Sequence, residues 1–126
     1  MIIRDEQMKA LAAHAEANFH LRVLQTLKSD FPESAKEMPE EALAAFVTKC
    51  VARARQNGIV VERDVAAFVI FLVCLRMVFR GGEPSWVEEL LTRDDLIGGM
   101  KVTQMRERGR QEMKAFESRN GARLDG

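Results

Sequence analysis

Apolar residues recur every three or four positions along most of the chain, a spacing that places side chains on one face of an α-helix. The first such segment covers about residues 6–28, with Asp5 as its predicted N-cap. Its apolar positions are Met8, Leu11, Ala12, Ala15, Phe19, Val23 and Leu27. We expect the helix to end before Pro32, because the residue preceding a proline avoids the α conformation. Phe31 is expected to fold back onto the core.

A second helix is predicted from about Pro39 to the Asn57-Gly58 pair, where glycine takes the left-handed conformation cheaply. Its apolar face consists of Leu43, Phe46, Val47, Cys50, Val51 and Ala54. Residues 59–61 are β-branched, but no second strand is predicted to pair with them. We therefore expect an extended linker there.

The third predicted helix, about residues 62–80, is apolar on nearly every side. A helix of this kind must be surrounded, so it is placed at the centre of a bundle, with Gly81-Gly82 at its end. The apolar run at residues 65–79 is interrupted by Arg76 and is shorter than the ~20 residues that a membrane-spanning helix needs. The sequence therefore predicts no membrane association.

The C-terminal third predicts a short helix and then a long one. Ser85 and Glu88 have the spacing of a capping box for the short helix, which carries Trp86, Leu90 and Leu91. Residues 92–95 have a similar pattern and predict the start of a last helix over about 93–117, in which Gly98-Gly99 would cause a bend or break. Its narrow apolar face consists of Val102, Met105, Gly109, Met113 and Phe116. Two interpretations stay open: this helix packs on its own bundle, or it protrudes and docks on another protein.

Composition agrees with one small domain. The chain has 126 residues, 47% of them hydrophobic, and its 19 basic side chains equal its 19 acidic ones. The predicted fold class is all-α: a single bundle of about four to five helices over residues 1–117, followed by a disordered tail at 118–126. No signal-peptide pattern is present near the start, and two cysteines do not make a disulfide framework, so we expect a cytoplasmic protein with reduced thiols.

Candidate chemistry is scarce. His14 and His20 lie about 240° apart around their helix axis and do not converge on one metal ion. Cys50 and Cys74 fit the apolar faces of their helices as core residues. No nucleophile motif and no glycine-rich phosphate loop are present. The sequence therefore predicts no catalytic residues, no cofactor and no metal, and a protein that is not an enzyme.

Nucleic-acid binding is disfavoured. The turn at residues 57–58 resembles that of a helix-turn-helix, but the following helix is too apolar to face water and DNA. The last helix carries seven basic residues and three acidic ones between residues 101 and 123: Lys101, Arg106, Arg108, Arg110, Lys114, Arg119 and Arg123 against Glu107, Glu112 and Glu117. No aromatic platform for bases accompanies these charges.

Protein binding is the remaining role. Methionine adapts to irregular surfaces, and apolar anchors at helical spacing are a common recognition mode. Tryptophan is enriched at protein interfaces. The candidate partner-binding residues are Trp86, Val102, Met105, Arg106, Arg108, Arg110, Met113 and Phe116. Met105→Asp combined with Phe116→Asp is expected to abolish partner binding while helicity is retained.

Four short segments carry a family resemblance. They are residues 2–8 (Ile-Ile-Arg-Asp-Glu-Gln-Met), Phe31-Pro32, residues 53–59 (Arg-Ala-Arg-Gln-Asn-Gly-Ile) and residues 62–65 (Glu-Arg-Asp-Val). Because these segments occur in this order, the chain resembles small bacterial helical proteins encoded beside type VI secretion effectors and their spike or PAAR-containing partners. The resemblance covers roughly the first 90 residues. The resemblance implies an accessory, partner-binding role, and it transfers no active-site residues.

Three functions follow from these expectations. The preferred one is an adaptor or chaperone that binds a secreted effector or its spike or PAAR carrier. The alternative is an immunity protein that blocks a cognate toxin by presenting complementary charge. The densest acidic segment, residues 30–41, holds five acidic residues and one lysine, which is weak support for that alternative. A nucleic-acid-binding regulator is the minor alternative, and self-association is left open.

Overall fold

The chain folds into an all-helical bundle, described here from a computed structural model that covers residues 5–80 and 82–125, with side chains as far as Ser118. The parts of the predictions that concern residues 1–4 and Gly81 lie outside the described residues. The described residues form six helices and no strand: α1 (Asp5–Asp30), α2 (Pro32–Ala35), α3 (Glu40–Gln56), α4 (Glu62–Val78), α5 (Ser85–Leu91) and α6 (Gly98–Asp125). The all-α prediction is confirmed.

The apolar helix α4 lies at the centre of the bundle, as its sequence predicts. It packs against α1, α2, α3 and α6. Val65, Phe68 and Val69 are completely buried. Burying each such side chain contributes roughly 1.5–3 kcal/mol, so α4 supplies a large part of the core.

The connection between α3 and α4 is the extended linker that the sequence predicts. Gly58 has a φ of +83°, which closes the end of α3. Ile59 is fully buried, whereas Val60 and Val61 are 65% and 54% exposed. Ile59 therefore anchors the linker in the core while its neighbours face solvent.

The short helix α2 was not predicted from the sequence. Pro32 occupies its first turn, and Ala35 is buried against the core. The Ser34 hydroxyl donates a hydrogen bond to Met77 Sδ at 3.0 Å, which joins α2 to α4. Four residues are too few to show a helical period, which is why the pattern did not indicate this element. Phe31, which precedes α2, is half-buried.

The apolar face that the sequence predicts on α1 packs only in its second half. Phe19, Val23 and Leu27 are buried, but Met8 and Leu11 are 57% and 62% exposed. Ala12 and Ala15 are also exposed. The reason is length: α1 has 26 residues, about 39 Å, whereas α3 and α4 have 17 each, about 26 Å.

The start of α1 also differs from the expected cap. The helix begins at Asp5 itself, which places this carboxylate in the first turn instead of at the N-cap. There its negative charge interacts favourably with the positive end of the helix dipole.

At the level of Glu16, α1 meets the last turn of α3 through an ion pair with Arg55 at 2.5 Å. The first turns of α1 therefore extend past that end of the bundle.

Neither predicted capping motif forms. Pro84 occupies the N-cap of α5 without a side-chain cap, and Ser85 is the first helical residue. Glu88 binds Arg53 at 2.5 Å instead of turning back to Ser85, because the arginine offers a stronger, charged donor. Thr92 closes α5 by donating to the Glu88 carbonyl at 2.8 Å and does not begin a new helix.

The last helix begins at Gly98, later than the predicted start near residue 93. Gly98 abuts the α3–α4 turn so closely that a Cβ there would lie 2.4 Å from the Gly58 carbonyl oxygen. The two glycines therefore start the helix and do not bend it. Lys101, counted above among the basic residues of the last helix, is buried and donates to the Asn57 carbonyl at 2.7 Å. This hydrogen bond satisfies a backbone carbonyl at the end of α3, where the helix dipole favours a positive charge.

The backbone of α6 stays helical as far as Asp125, where the sequence predicted a disordered tail from residue 118. After Gly109 the helix contains no proline and one glycine, Gly121, so no strong stop ends it earlier. The helix has 28 residues, about 42 Å, and runs beside the much shorter α4.

Candidate docking surface around α4 and α6

The helix α6 divides into a packed half and an exposed half. Val102 and Met105 are 4% and 1% exposed and belong to the core. Met113 and Phe116, on the same apolar face, are 38% and 39% exposed. Between residues 110 and 118 every side chain is exposed except half-buried Glu112. The apolar face therefore continues beyond the bundle that covers its first turns.

Gly109 marks the point where α6 stops packing closely. A Cβ at this position would lie 2.6 Å from a carbon of the Phe71 ring, so glycine lets the two helices approach each other there. The start of α6 lies at the α3–α4 turn, and Met113 and Val78 line one groove farther along both helices. The two helices therefore run in the same direction. The exposed half of α6 projects from the end of the bundle opposite to the first turns of α1.

A groove runs between these two helices. We call it the α4–α6 groove; it has a volume of about 220 Å³ and is lined by Phe71, Cys74, Leu75, Val78, Arg106, Gly109, Arg110 and Met113. Its α4 side is entirely apolar. Phe71, Cys74 and Val78 are half-buried, so they present apolar surface to solvent. Phe116 lies one turn beyond Met113 on α6.

The charged side of this groove is basic. Arg106 and Arg110 are exposed on α6. Arg110 binds Glu107 at 2.5 Å, whereas Arg106 forms no ion pair with any side chain that the structure describes. Positive charge and apolar surface therefore lie side by side. The guanidinium of Arg106 is available to bind a carboxylate of a partner.

A second hollow lies on the other side of Leu75. We call it the α4–α5 hollow, because the connection between these two helices closes it. It has a volume of about 150 Å³, and its lining includes Phe46, Leu72, Leu75, Phe79, Arg76 and Arg80. The guanidinium of Arg76 stacks 5.0 Å from the centre of the Phe46 ring. Arg80 lies 3.6 Å from a Glu37 carboxylate oxygen. Leu75 lines both depressions, so they flank the same end of α4.

The loop that closes this hollow is held by one arginine. Arg53 on α3 binds both carboxylate oxygens of Glu83, at 2.6 and 2.8 Å, and also Glu88. The hydrogen bonds to Glu83 raise the pKa of Arg53, so its charge is permanent. This clamp fixes the α4–α5 connection against α3 and thereby holds the wall of the hollow in place.

Four of the eight predicted partner-binding residues are buried in the bundle or stack on a buried ring. Trp86 is 8% exposed, with its ring centre 6.1 Å from that of Phe71. Arg108 covers the Trp86 ring at 5.5 Å. Together with Val102 and Met105, these residues join α5 and α6 to the bundle. The other four, Arg106, Arg110, Met113 and Phe116, are exposed, and so is Arg108 itself.

This placement also changes the expected effect of one proposed substitution. Met105→Asp would put a carboxylate into the core, so loss of helicity would follow from misfolding and would carry no information about partner binding. Met113 is the surface residue on the same helix face. The informative pair is therefore Met113→Asp with Phe116→Asp.

Sequence reasoning missed the α4 side of the surface. The all-round apolar pattern of α4 predicted complete burial. Near Val78, however, the side of α4 that faces α6 is open to the groove. Arg76 within that apolar run was the available signal that the helix reaches solvent at this end.

The two cysteines and two histidines offer little chemistry. Burial raises the pKa of the Cys50 thiol to about 12, against a smaller opposing effect of Arg53, so the thiol is unreactive near neutral pH. His20 lies 2.9 Å from Glu16, and His14 is exposed. In the part of the chain that the structure describes, no three metal-ligating side chains come together.

Two further findings bear on the function of the protein. None of the helices, over the residues described, has the length and apolar content needed to cross a membrane. Comparisons of the chain with protein-family models, curated proteins and solved structures found no match. Inference about function therefore starts from the surface around α4 and α6.

Proposed function

We propose that this protein is a non-enzymatic accessory factor that binds another polypeptide, acting in the cytoplasm as an adaptor or chaperone for a type VI secretion effector or its spike or PAAR carrier. The secretion context comes from the resemblance of the four short sequence segments. The binding role has separate support from the molecular surface.

One observation carries the binding role: Met113 and Phe116 are 38% and 39% exposed on a helix that extends past its bundle, beside the α4–α6 groove. Apolar side chains three residues apart on one helix face are typical anchors for helix-in-groove recognition. A partner that covered them would remove this apolar surface from water, which supplies the driving force for association.

The distribution of charge supports a protein partner over nucleic acid. Lys101 is buried, Arg108 stacks on Trp86, and Arg110 binds Glu107. These basic side chains have intramolecular partners, so α6 offers much less free positive charge than its sequence suggests. Strong phosphate binding needs several unpaired cations along one face.

The immunity alternative has one supporting observation, the exposed carboxylates of residues 30–41. Three of them already have basic neighbours: Glu33 with Lys36, Glu37 with Arg80, and Glu40 with Lys28. The segment therefore presents less free negative charge than an inhibitor of a basic active site needs, and the adaptor role is preferred.

Co-expression with the proteins encoded beside this gene, among which the proposal predicts a secreted effector or its carrier, tests the proposed function. Wild-type protein is expected to co-purify with the effector or its carrier and to raise the soluble fraction of the effector. Met113→Asp with Phe116→Asp is expected to weaken the complex at least about tenfold, because both anchors become charged. Met8→Asp with Leu11→Asp, which changes two apolar residues that are even more exposed and lie at the opposite end, is the matched control.

The outcomes separate the candidate functions. Unchanged effector solubility in the absence of this protein would reject the chaperone role. Suppression of effector toxicity by the complex would indicate the immunity role instead. Retention of the purified protein on nucleic acid with a steep salt dependence would favour the nucleic-acid alternative.

A further inference from the structure

We propose that the surface around the C-terminal end of α4 binds an acidic amphipathic α-helix of a partner protein. This inference rests on the proposed protein-binding function and adds the chemistry of the partner. The α4–α6 groove and the α4–α5 hollow supply an apolar floor on either side of Leu75. Four arginines, here called the arginine rim, line these depressions: Arg76, Arg80, Arg106 and Arg110.

The charges around this floor favour a partner with carboxylates. Three glutamates at or beside the surface each bind an arginine already: Glu37 with Arg80, Glu83 with Arg53, and Glu107 with Arg110. Arg76 and Arg106 form no ion pair with the described side chains. Farther along α6, the exposed side chains of Lys114 and Glu117 offset each other. The unpaired charge is therefore positive, and guanidinium groups bind carboxylates with two parallel hydrogen bonds.

The shape of the surface favours a helix. From Arg106 to Phe116, α6 advances about 15 Å, or roughly three turns. A helix lying along this length places apolar side chains at positions i, i+3 or i+4, and i+7 against Val78, Met113 and Phe116. A peptide in β-strand conformation would instead need the edge of a sheet, and the described residues form no strand.

A second copy of this chain is the competing occupant. One exposed apolar helix segment that it offers is the first half of α1, which carries Met8 and Leu11. That segment projects from the end of the bundle opposite to the arginine rim. Such a head-to-tail contact would not close into a dimer and would continue as an open chain, which argues for a different protein as the partner.

Selection from a displayed peptide library tests this inference without a known partner. The probe is a set of amphipathic helices of about 18 residues, with leucines fixed at i, i+3, i+4 and i+7 and the outer positions sampling Glu, Lys and Gln. The purified full chain is the target. Arg106→Glu with Arg110→Glu reverses the rim. Lys9→Glu with Arg63→Glu reverses two exposed charges elsewhere and is the matched control.

Wild-type protein and the control are expected to select Glu over Lys at the outer positions. The rim-reversed variant is expected to bind the selected peptides at least about tenfold more weakly and to shift its selection toward Lys. Selection without preference for Glu, or equal binding by the rim-reversed variant, would overturn the inference. Light scattering can overturn it as well. If the wild-type protein assembles with increasing concentration and the rim reversal abolishes that assembly, a second copy of the chain is the occupant.

This experiment and the co-expression test fail in different ways. If the selected acidic helices bind at the rim but the neighbouring effector does not bind, the proposed function is wrong and the acidic-helix inference stands. If the effector binds with the same affinity to wild-type and rim-reversed protein, the function stands and the inference is wrong.

Discussion

Gly98 and Gly99 are neighbours in sequence but have different structural roles. A Cβ on Gly98 would lie 2.4 Å from the Gly58 carbonyl oxygen and 2.9 Å from the Ile59 Cα, both of them backbone atoms. A Cβ on Gly99 would meet only a carboxylate oxygen of Asp64, at 3.3 Å. The first glycine therefore permits a close backbone contact, whereas the second faces a side chain that can move.

Gly98→Ala is expected to destabilise the protein by about 1–3 kcal/mol, because the start of α6 must move away from the α3–α4 turn. Gly99→Ala is expected to change the free energy of unfolding by no more than about 0.5 kcal/mol. Urea unfolding of both variants, followed by circular dichroism, measures the difference. Equal losses from the two substitutions would show that the close contact at Gly98 is not a source of stability.

Among the elements, α1 and α6 are longer than the helices they pack against. Because α3 and α4 are only 17 residues long, the first turns of α1 and the last turns of α6 extend past them, and the apolar faces are exposed there. Periodicity predicted these faces correctly, but periodicity on one helix contains no information about the length of its neighbour. The sequence therefore identified Met8, Leu11, Met113 and Phe116 as members of apolar faces without showing that they are exposed.

The predicted elements succeed where a local rule decides the structure. Pro32, the Asn57-Gly58 pair and the apolar run of α4 act within a few residues, and the helices they delimit are confirmed. The capping box at Ser85 failed because Glu88 found a partner in Arg53, 35 residues earlier in the chain. Trp86 and Arg108 likewise pack through tertiary contacts. Spacing cannot foresee such long-range contacts, and the geometry of the proposed docking surface depends on them.

The two halves of α6 are expected to respond differently to the same substitution. Met105→Asp buries an unpaired carboxylate at a position that is 1% exposed and should cost about 3 kcal/mol or more. Met113→Asp, at a position 38% exposed, should cost about 1 kcal/mol, because aspartate favours a helix less and the Met side chain leaves the groove. Thermal and urea unfolding test this pair. A large loss from Met113→Asp would mean that the second half of α6 also belongs to the core.

At the scale of the whole molecule, α4 is surrounded over most of its length and open at its C-terminal end. The opening is rigidly framed: Arg53 fixes the loop before α5, and Gly109 brings α6 close to Phe71. Beyond that contact the second half of α6 is kept helical mainly by its own backbone hydrogen bonds and by ion pairs along the helix, such as Arg108 with Glu112. Such a segment opens readily in the free protein and gains most from a partner.

Hydrogen–deuterium exchange, with the complex isolated by co-expression compared with the free protein, tests this account most directly. Binding is predicted to slow exchange of the backbone amides at residues 106–118 and at residues 74–80, while residues 5–15 at the opposite end keep their free rates. Slowed exchange confined to residues 5–15, with the second half of α6 unchanged, would contradict the account.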